Sequence, residues 1–374
     1  MYATWTTGTT TGSITLAGAA TKNNTTASGY KVSFNANGGS CSTSSLTATD
    51  TIKWSFAGWN TNSGGTGTNY SAGSSYSTSA NATLYAKWTS SVATRGSITL
   101  PTATRDGYNF KGWSTSSSAT SGSTGSYTPS SSHTLYAVWE LKTYTISYNA
   151  NGHGTAPTAQ TKSHGVTLGL RSFIGQQTAT GYKVSFNANN GSSTPSALTS
   201  TIYYDQTYWN TNSSGTGTNY GSGASYTSNA SATLYAIWKT TNGSVTLPAK
   251  ITRADGSSTG YKVTFNANGG VCDTSSLTAT NTIKYTFNKW AAGSTSGTTY
   301  SAGASYTPTG AVTMYATWNS STINGNINLP TPTRVGYTFM GWSTSSTATS
   351  GTTGSYTPSG NVTLYATWKA NGAV

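Results

Sequence analysis

The sequence predicts a mainly β fold, laid out as an elongated tandem array of small β-rich repeat modules. Three observations predict it. A pentad of the form Leu/Met-Tyr-Ala-x-Trp recurs at 84–88, 135–139, 234–238, 314–318 and 364–368, and MYATW stands at 1–5. The segments around it alternate with period two between Gly, Pro and Ser boundaries, the pattern of half-buried strands. No window shows apolar residues at helical spacing, and abundant β-branched Thr favours strand.

Closing pentads divide the 374 residues into a preceding module's last strand (1–5), a long repeat (6–88), a short repeat (89–139), an extra-long repeat (140–238), a second long repeat (239–318), a second short repeat (319–368) and a tail (369–374). The short repeat shows the parts: GSITLP at 96–101, DGYNFKGW at 106–113, a Ser/Thr/Gly loop at 114–126, SYTPS at 126–130 and HTLYAVW at 133–139. The long repeats insert KVSFNANGG and a returning segment between Gly29-Tyr30 and Phe56. Val32 and Phe34 alternate with Lys31 and Ser33, Asn37-Gly38 signals a turn, and TIKWSF at 51–56 returns. The insert recurs at 183–207 and 262–286, and YTISYNANG at 144–152 is a fourth copy of its first strand.

Composition supports burial by aromatic rings. Hydrophobic residues are only 34% and charged residues 7%, which alone would suggest a disordered linker. Twelve Trp and 25 Tyr argue otherwise. Each such ring buries about 150–250 Å², or roughly 4–6 kcal/mol at ~25 cal/mol/Å² before entropy. The recurrent tryptophans are therefore the expected core: Trp5, Trp59, Trp88, Trp113, Trp139, Trp209, Trp238, Trp290, Trp318, Trp342 and Trp368. In the closing strand Leu135, Ala137 and Trp139 face one side, and Tyr136 and Val138 the other.

Taken together, FNANGG, GYxFxGW and TLYAxW resemble the Listeria–Bacteroides surface repeat, the B-repeat type of internalins. The resemblance covers 6–368 in five tandem units. It implies an extracellular array of small modules with a β-grasp or ubiquitin-like fold. Two departures stand out. The short units lack the opening hairpin, and the long units carry it inside the GY–GW segment. This arrangement suggests that neighbouring units share strands. A lone MYATW strand would have unpaired backbone groups. Either it belongs to a longer array or it pairs with another molecule, and pairing between identical chains would make a fibre.

The net charge of +13 comes from missing acids, 19 basic against 6 acidic residues, with no run of Lys or Arg. A nucleic-acid partner is not expected. No stretch is long and apolar enough for a membrane span. Cys41 and Cys272 occupy the same motif position in two units, so free or inter-chain thiols are expected rather than an internal disulfide. The six acids and three histidines are scattered, with no zinc spacing, so neither catalysis, a metal nor a cofactor is expected. An isopeptide bond from Lys31, Lys183 or Lys262 would want a buried acid beside it, and acids are scarce. The Asn-x-Ser/Thr triplets at Asn81, Asn229, Asn319 and Asn361 are expected by chance in such a composition. NTNSGGTGTNY (60–70) and NTNSSGTGTNY (210–220) carry no carboxylate for calcium and read as polar surface loops. Asn62, Tyr70, Asn212 and Tyr220 are their candidate glycan-contacting residues. The expected function is a secreted or cell-surface stalk or filament subunit; the alternative is an adhesin binding cell-surface glycans through these loops.

Overall fold

A computed structural model describes residues 12–372, so the MYATW segment with Trp5 lies outside the described residues. Among these residues the fold is mainly β in repeated modules, with no helix. The long strands are β1 (Thr25–Asn35), β2 (Ser45–Asn60), β3 (Tyr85–Thr94), β4 (Tyr108–Ser114), β5 (His133–Leu141), β6 (Thr143–Asn149), β7 (Gln177–Asn187), β8 (Leu198–Asn210), β9 (Ala232–Asn242), β10 (Gly256–Asn266), β11 (Ser276–Ala292), β12 (Val312–Ile323), β13 (Tyr337–Ser343) and β14 (Val362–Ala370). The chain forms two compact units. One comprises Met1–Tyr148, Thr158–Arg171 and Gly223–Leu234; the other comprises Asn149–Pro157, Ser172–Ser222 and Tyr235–Val374.

In the first unit the sheet order is β2-β1-β5-β4, with β3 paired to the second half of β2. In the second the order is β9-β8-β7-β12-β11-β10-β14-β13. Both follow one rule. An inserted strand pairs antiparallel with its return strand on one side and parallel with a closing strand on the other: β1 with β5, β7 with β12, β10 with β14. Each such module thus has a parallel pair flanked by antiparallel strands. Beside it lies no helix but an extended segment, Ile98–Thr99 pairing with Ser126–Tyr127 and Ile327–Asn328 with Tyr356 and Ser355.

The parallel pairing carries the strand out of its own sequence unit. β1 belongs by sequence to 6–88, yet Val32–Asn35 lies along His133–Tyr136 of unit 89–139. β7 lies in 140–238 and completes 239–318; β10 lies in 239–318 and completes 319–368. The cores accordingly cross the boundaries drawn at the tryptophans. Val32 and Ala48 pack with Ile98, Leu100, Trp113 and Leu135. Val263 and Phe265 pack with Trp342, Leu364 and Ala366. The long strands β2, β8 and β11 do two jobs: one half returns the inserted hairpin, and the other carries the Trp of its own module. A register shift at Gly-Tyr (Ser28/Lys31, Thr180/Lys183, Thr259/Lys262) bends each inserted strand.

The return strand begins earlier than TIKWSF suggests. It starts at Ser45, and Ser33 pairs with Ser45 and Val32 with Leu46. Leu46 and Ala48 point to the core, so SLTATD has the same period-two logic, masked in the sequence by small polar residues.

The tryptophans fall into two classes. Trp113, Trp209, Trp290 and Trp342 are at most 2% exposed. Trp59 and the closing Trp88, Trp139, Trp238, Trp318 and Trp368 are half-buried. A Phe joins the two classes wherever it stands three before the buried Trp, Phe110 lying 5.6 Å from Trp113 and 5.4 Å from Trp139; the module of Trp209 and Trp238 has Gln206 there instead. Phe339 repeats this with Trp342 and Trp368, and Phe287 with Trp290 and Trp318. The inserted strand adds a second ring: Phe34 sits 4.8 Å from Trp113, Phe186 5.0 Å from Trp290 and Phe265 4.9 Å from Trp342.

Removing the central ring leaves a large cavity. Trp342→Ala is expected to cost about 3–5 kcal/mol in denaturant unfolding. Gly270 lies where an added Cβ would meet Trp368 Cζ2 and the Thr333 carbonyl at about 2.5 Å. Gly270→Ala is therefore expected to destabilise by about 1–3 kcal/mol in the same measurement, though it removes no contact.

Candidate functional site

The most elaborated local geometry is the joint where an inserted strand docks on a closing strand. It begins at the Asn-Gly turn. Asn37, Asn151, Asn189 and Asn268 all have positive φ, which Asn tolerates better than other side chains. The backbone N–H of the turn Asn donates to the side chain of the Asn two residues before it: Asn37 N to Asn35 Oδ1 and Asn268 N to Asn266 Oδ1, both at 2.9 Å. The turn Asn then reaches across. Asn37 Nδ2 donates to the Ala137 and Ser117 carbonyls, and Asn268 Nδ2 to those of Ala366 and Ser346. Asn151 and Asn189 donate to the Ala236 and Ala316 carbonyls.

The closing Trp answers in the other direction. Trp139 Nε1 donates to the Ala36 carbonyl at 3.0 Å, Trp238 to Ala150, Trp318 to Asn189 and Trp368 to Ala267. A polar residue three before the closing Leu holds the inserted strand just after its bend. Lys31 N donates to Ser132 Oγ, and Lys262 N donates to Asn361 Oδ1. Arg105 lies 3.9 Å over Tyr108 and donates to the Asn37 carbonyl, and Arg334 does the same with Tyr337 and Asn268. The buried tryptophans are anchored separately, Trp113 Nε1 to the Pro101 carbonyl and Trp342 Nε1 to that of Pro330, both at 2.7 Å.

The polar loops are organised by a residue the sequence reading passed over. Asn60, 1% exposed, accepts from the Asn62 and Gly67 amides and donates to Gly67 O and Asn69 Oδ1. Asn210 does the same in the second loop. The Trp-Asn dipeptide before both loops was the available signal. Asn62 and Asn212 are exposed, with their Oδ1 atoms taken by Gly64 N and Ser214 N. Tyr70 is half-buried against Tyr76, centroids 5.0 Å apart, and half-buried Tyr220 pairs with Trp209 across the sheet.

Titratable groups are dispersed. His133 bonds Tyr127 Oη, His164 bonds Tyr144 Oη, and His153 stacks on Tyr204 at 3.7 Å. Among the described residues no three His, Cys, Asp or Glu side chains gather as a metal site. Cys41 and Cys272 are free thiols, each half-buried against a core and bonded to a nearby carbonyl. Lys162 is 1% exposed, with Nζ bonded to Asn229 Oδ1 and the Ser163 carbonyl and lying 5.7 Å over Tyr144. Asp50 is also buried. The Gly96 amide donating to its carboxylate holds its pKa below the ordinary aspartate value, with Arg95 at 2.7 Å acting the same way against the opposing effect of burial.

The family model of the Listeria-Bacteroides repeat domain matches residues 30–87, 89–138, 261–317 and 319–367. The chain belongs to this family. Among curated proteins none matches it. Each match ends within a closing pentad; the long ones begin at the Gly-Tyr of 29–30 and 260–261, and the short ones directly after Trp88 and Trp318, while the cores are assembled across these limits.

Asp50 supplies a test of one cross-unit contact. Asn281 occupies its place in another repeat and accepts from the Gly325 amide at 3.0 Å. Asp50→Asn is therefore expected to leave the neutral-pH melting temperature nearly unchanged, and Asp50→Ala to lower it. Because the folded pKa lies below the unfolded one, the stabilisation is full above the ordinary aspartate range and fades as pH falls through the folded value. Thermal melts across that acid range should show a limb in the native chain that Asp50→Asn lacks.

Proposed function

We propose that this repeat protein is an extracellular, non-catalytic structural element, a cell-surface stalk or filament subunit. The observation that carries the proposal is strand exchange between sequence units, β1 into β5, β7 into β12 and β10 into β14. A load applied along such a chain acts on parallel strand pairs that must shear, with several hydrogen bonds breaking together. Ordinary tandem domains would instead be separated by peelable linkers. Hydroxyl-rich loops hydrate the surface without charge, and repeats of this family are typical of surface proteins. Each histidine is spent on a tyrosine, which fits a structural role.

A second reading, an adhesin, is favoured by one groove of about 370 Å³. Lys22, Trp54, Asn62, Tyr85 and Trp88 line it, and Lys22 Nζ lies 3.5 Å over Trp54. Aromatic faces beside amide and ammonium donors suit a sugar.

Single-molecule pulling tests the structural reading. Rupture of the module closed by Trp139 is expected to release residues 25–139 in one step; a step matching 89–139 alone would overturn strand exchange as the mechanical element. A glycan array tests the second: reproducible binding abolished by Trp54→Ala would favour the adhesin.

A further inference from the structure

The module closed by Trp88 has no inserted strand docked on it among the described residues, yet its receptor is built. Its parts match the filled modules position by position. In those modules the closing strand starts two residues before its Leu or Met, at His133, Val312 and Val362. Here it starts at Tyr85, and 82–84 are not in strand. Ile14 is 61% exposed, whereas its counterparts Ile98 and Ile327 are each 7% exposed. Leu84 is half-buried, whereas Leu135, Met314 and Leu364 are buried. Trp59 keeps its carbonyl anchor, donating to Ala17 at 3.0 Å, but is the member of its class left half-buried. Ile14, Leu16, Trp59, Tyr76 and Leu84 line an open apolar groove of about 270 Å³.

We propose that this edge accepts a donor strand of the Val-x-Phe-Asn-Ala-Asn-Gly kind from another repeat of the same family, parallel to residues 82–85. The filled joints define every contact. The donor Val and Phe enter beside Leu84 and Trp59, as Val263 and Phe265 do beside Leu364 and Trp342. Asn81, three residues before Leu84, takes the part of Asn361 and accepts the amide preceding the donor Val. The Ala86 and Ser63 carbonyls take the turn Asn, as Ala366 and Ser346 do. Trp88 Nε1 donates to the turn carbonyl. The inference goes beyond the stalk reading and does not depend on it.

A second copy of this chain is a poor donor. Its four Asn-Ala-Asn turns are each already docked, Asn37 on Ala137, Asn151 on Ala236, Asn189 on Ala316 and Asn268 on Ala366. It would have to open a filled joint to give one up. A sugar would satisfy the polar rim but leave the apolar floor and the strand edge uncovered.

The test uses the full chain and a fluorescent peptide of residues 29–40, GYKVSFNANGGS. Saturable binding of one peptide per chain is expected, with new hydrogen-exchange protection confined to 82–88. Peptides carrying Asn37→Ala or Gly39→Ala, and the chain variant Leu84→Lys, should bind about tenfold or more weakly, since each removes an anchor or adds a clash. Asn81→Ala alters an exposed residue and keeps the test open if Leu84→Lys fails to fold; it too should weaken binding. Equal binding of a scrambled peptide, or protection at 133–136 from exchange into a filled joint, would overturn the proposal. So would a chain that sediments as a dimer with 82–88 already protected, or a glycan that binds there while the peptide does not.

Discussion

The packing of one indole decides the rest of each module. In each filled module one Trp is buried, with the N–H of Trp113, Trp290 and Trp342 fixed to a carbonyl, and its ring face must be covered from above. No residue near it in sequence can do this. The covering Phe comes from a strand roughly eighty residues upstream, Phe34 for Trp113 and Phe265 for Trp342. A Trp left uncovered would forfeit a large share of its burial, on the order of several kcal/mol. Modules poor in aliphatic residues have little else to lose it against, so the upstream strand is obligatory wherever the module is complete.

Interleaving follows from that requirement and from where the strand sits. Because β1, β7 and β10 are inserted between the Gly-Tyr and Gly-Trp halves of a preceding unit, completing one core ties it covalently into another. Joints of this kind need a precise end stop. The Asn-Gly turn supplies it: backbone geometry that few residues tolerate, one side-chain amide bridging to two carbonyls, and a glycine against which the closing indole lies. Arg105 and Arg334 then cap the turn from the outside, stacked on a tyrosine.

Much of this was legible in the sequence, and the illegible parts have physical reasons. Period-two alternation in TLYAxW and KVSFN revealed strands, because side chains on a pleat alternate whatever surrounds them. The Asn37-Gly38 turn was legible because it demands positive φ. The partner of β1 was not, since pairing β1 with β5 is a choice among several closing strands with equivalent patterns. The departure of the short units from the family pattern hinted at shared strands without saying whose. SLTATD was missed because small polar residues hide alternation. Asn60 and Asn210 were overlooked because an Asn in an Asn-rich loop looks like its neighbours until its burial is known. The closing tryptophans looked as central as the Gly-Trp ones; their half-exposure reflects a second task, donating an N–H to the docked turn.

The order of the strands along the chain bears on how the protein is made. β1 leaves the ribosome long before β5, its parallel partner, and the same lag separates β7 from β12 and β10 from β14. A hairpin of β1 and β2 would hold Val32 and Phe34 toward water for roughly a hundred residues of synthesis, at a few to twenty residues per second. Contacts this distant along the chain also close slowly. Such a polypeptide is better suited to completing its architecture once the whole chain has been synthesised than to folding unit by unit as it emerges.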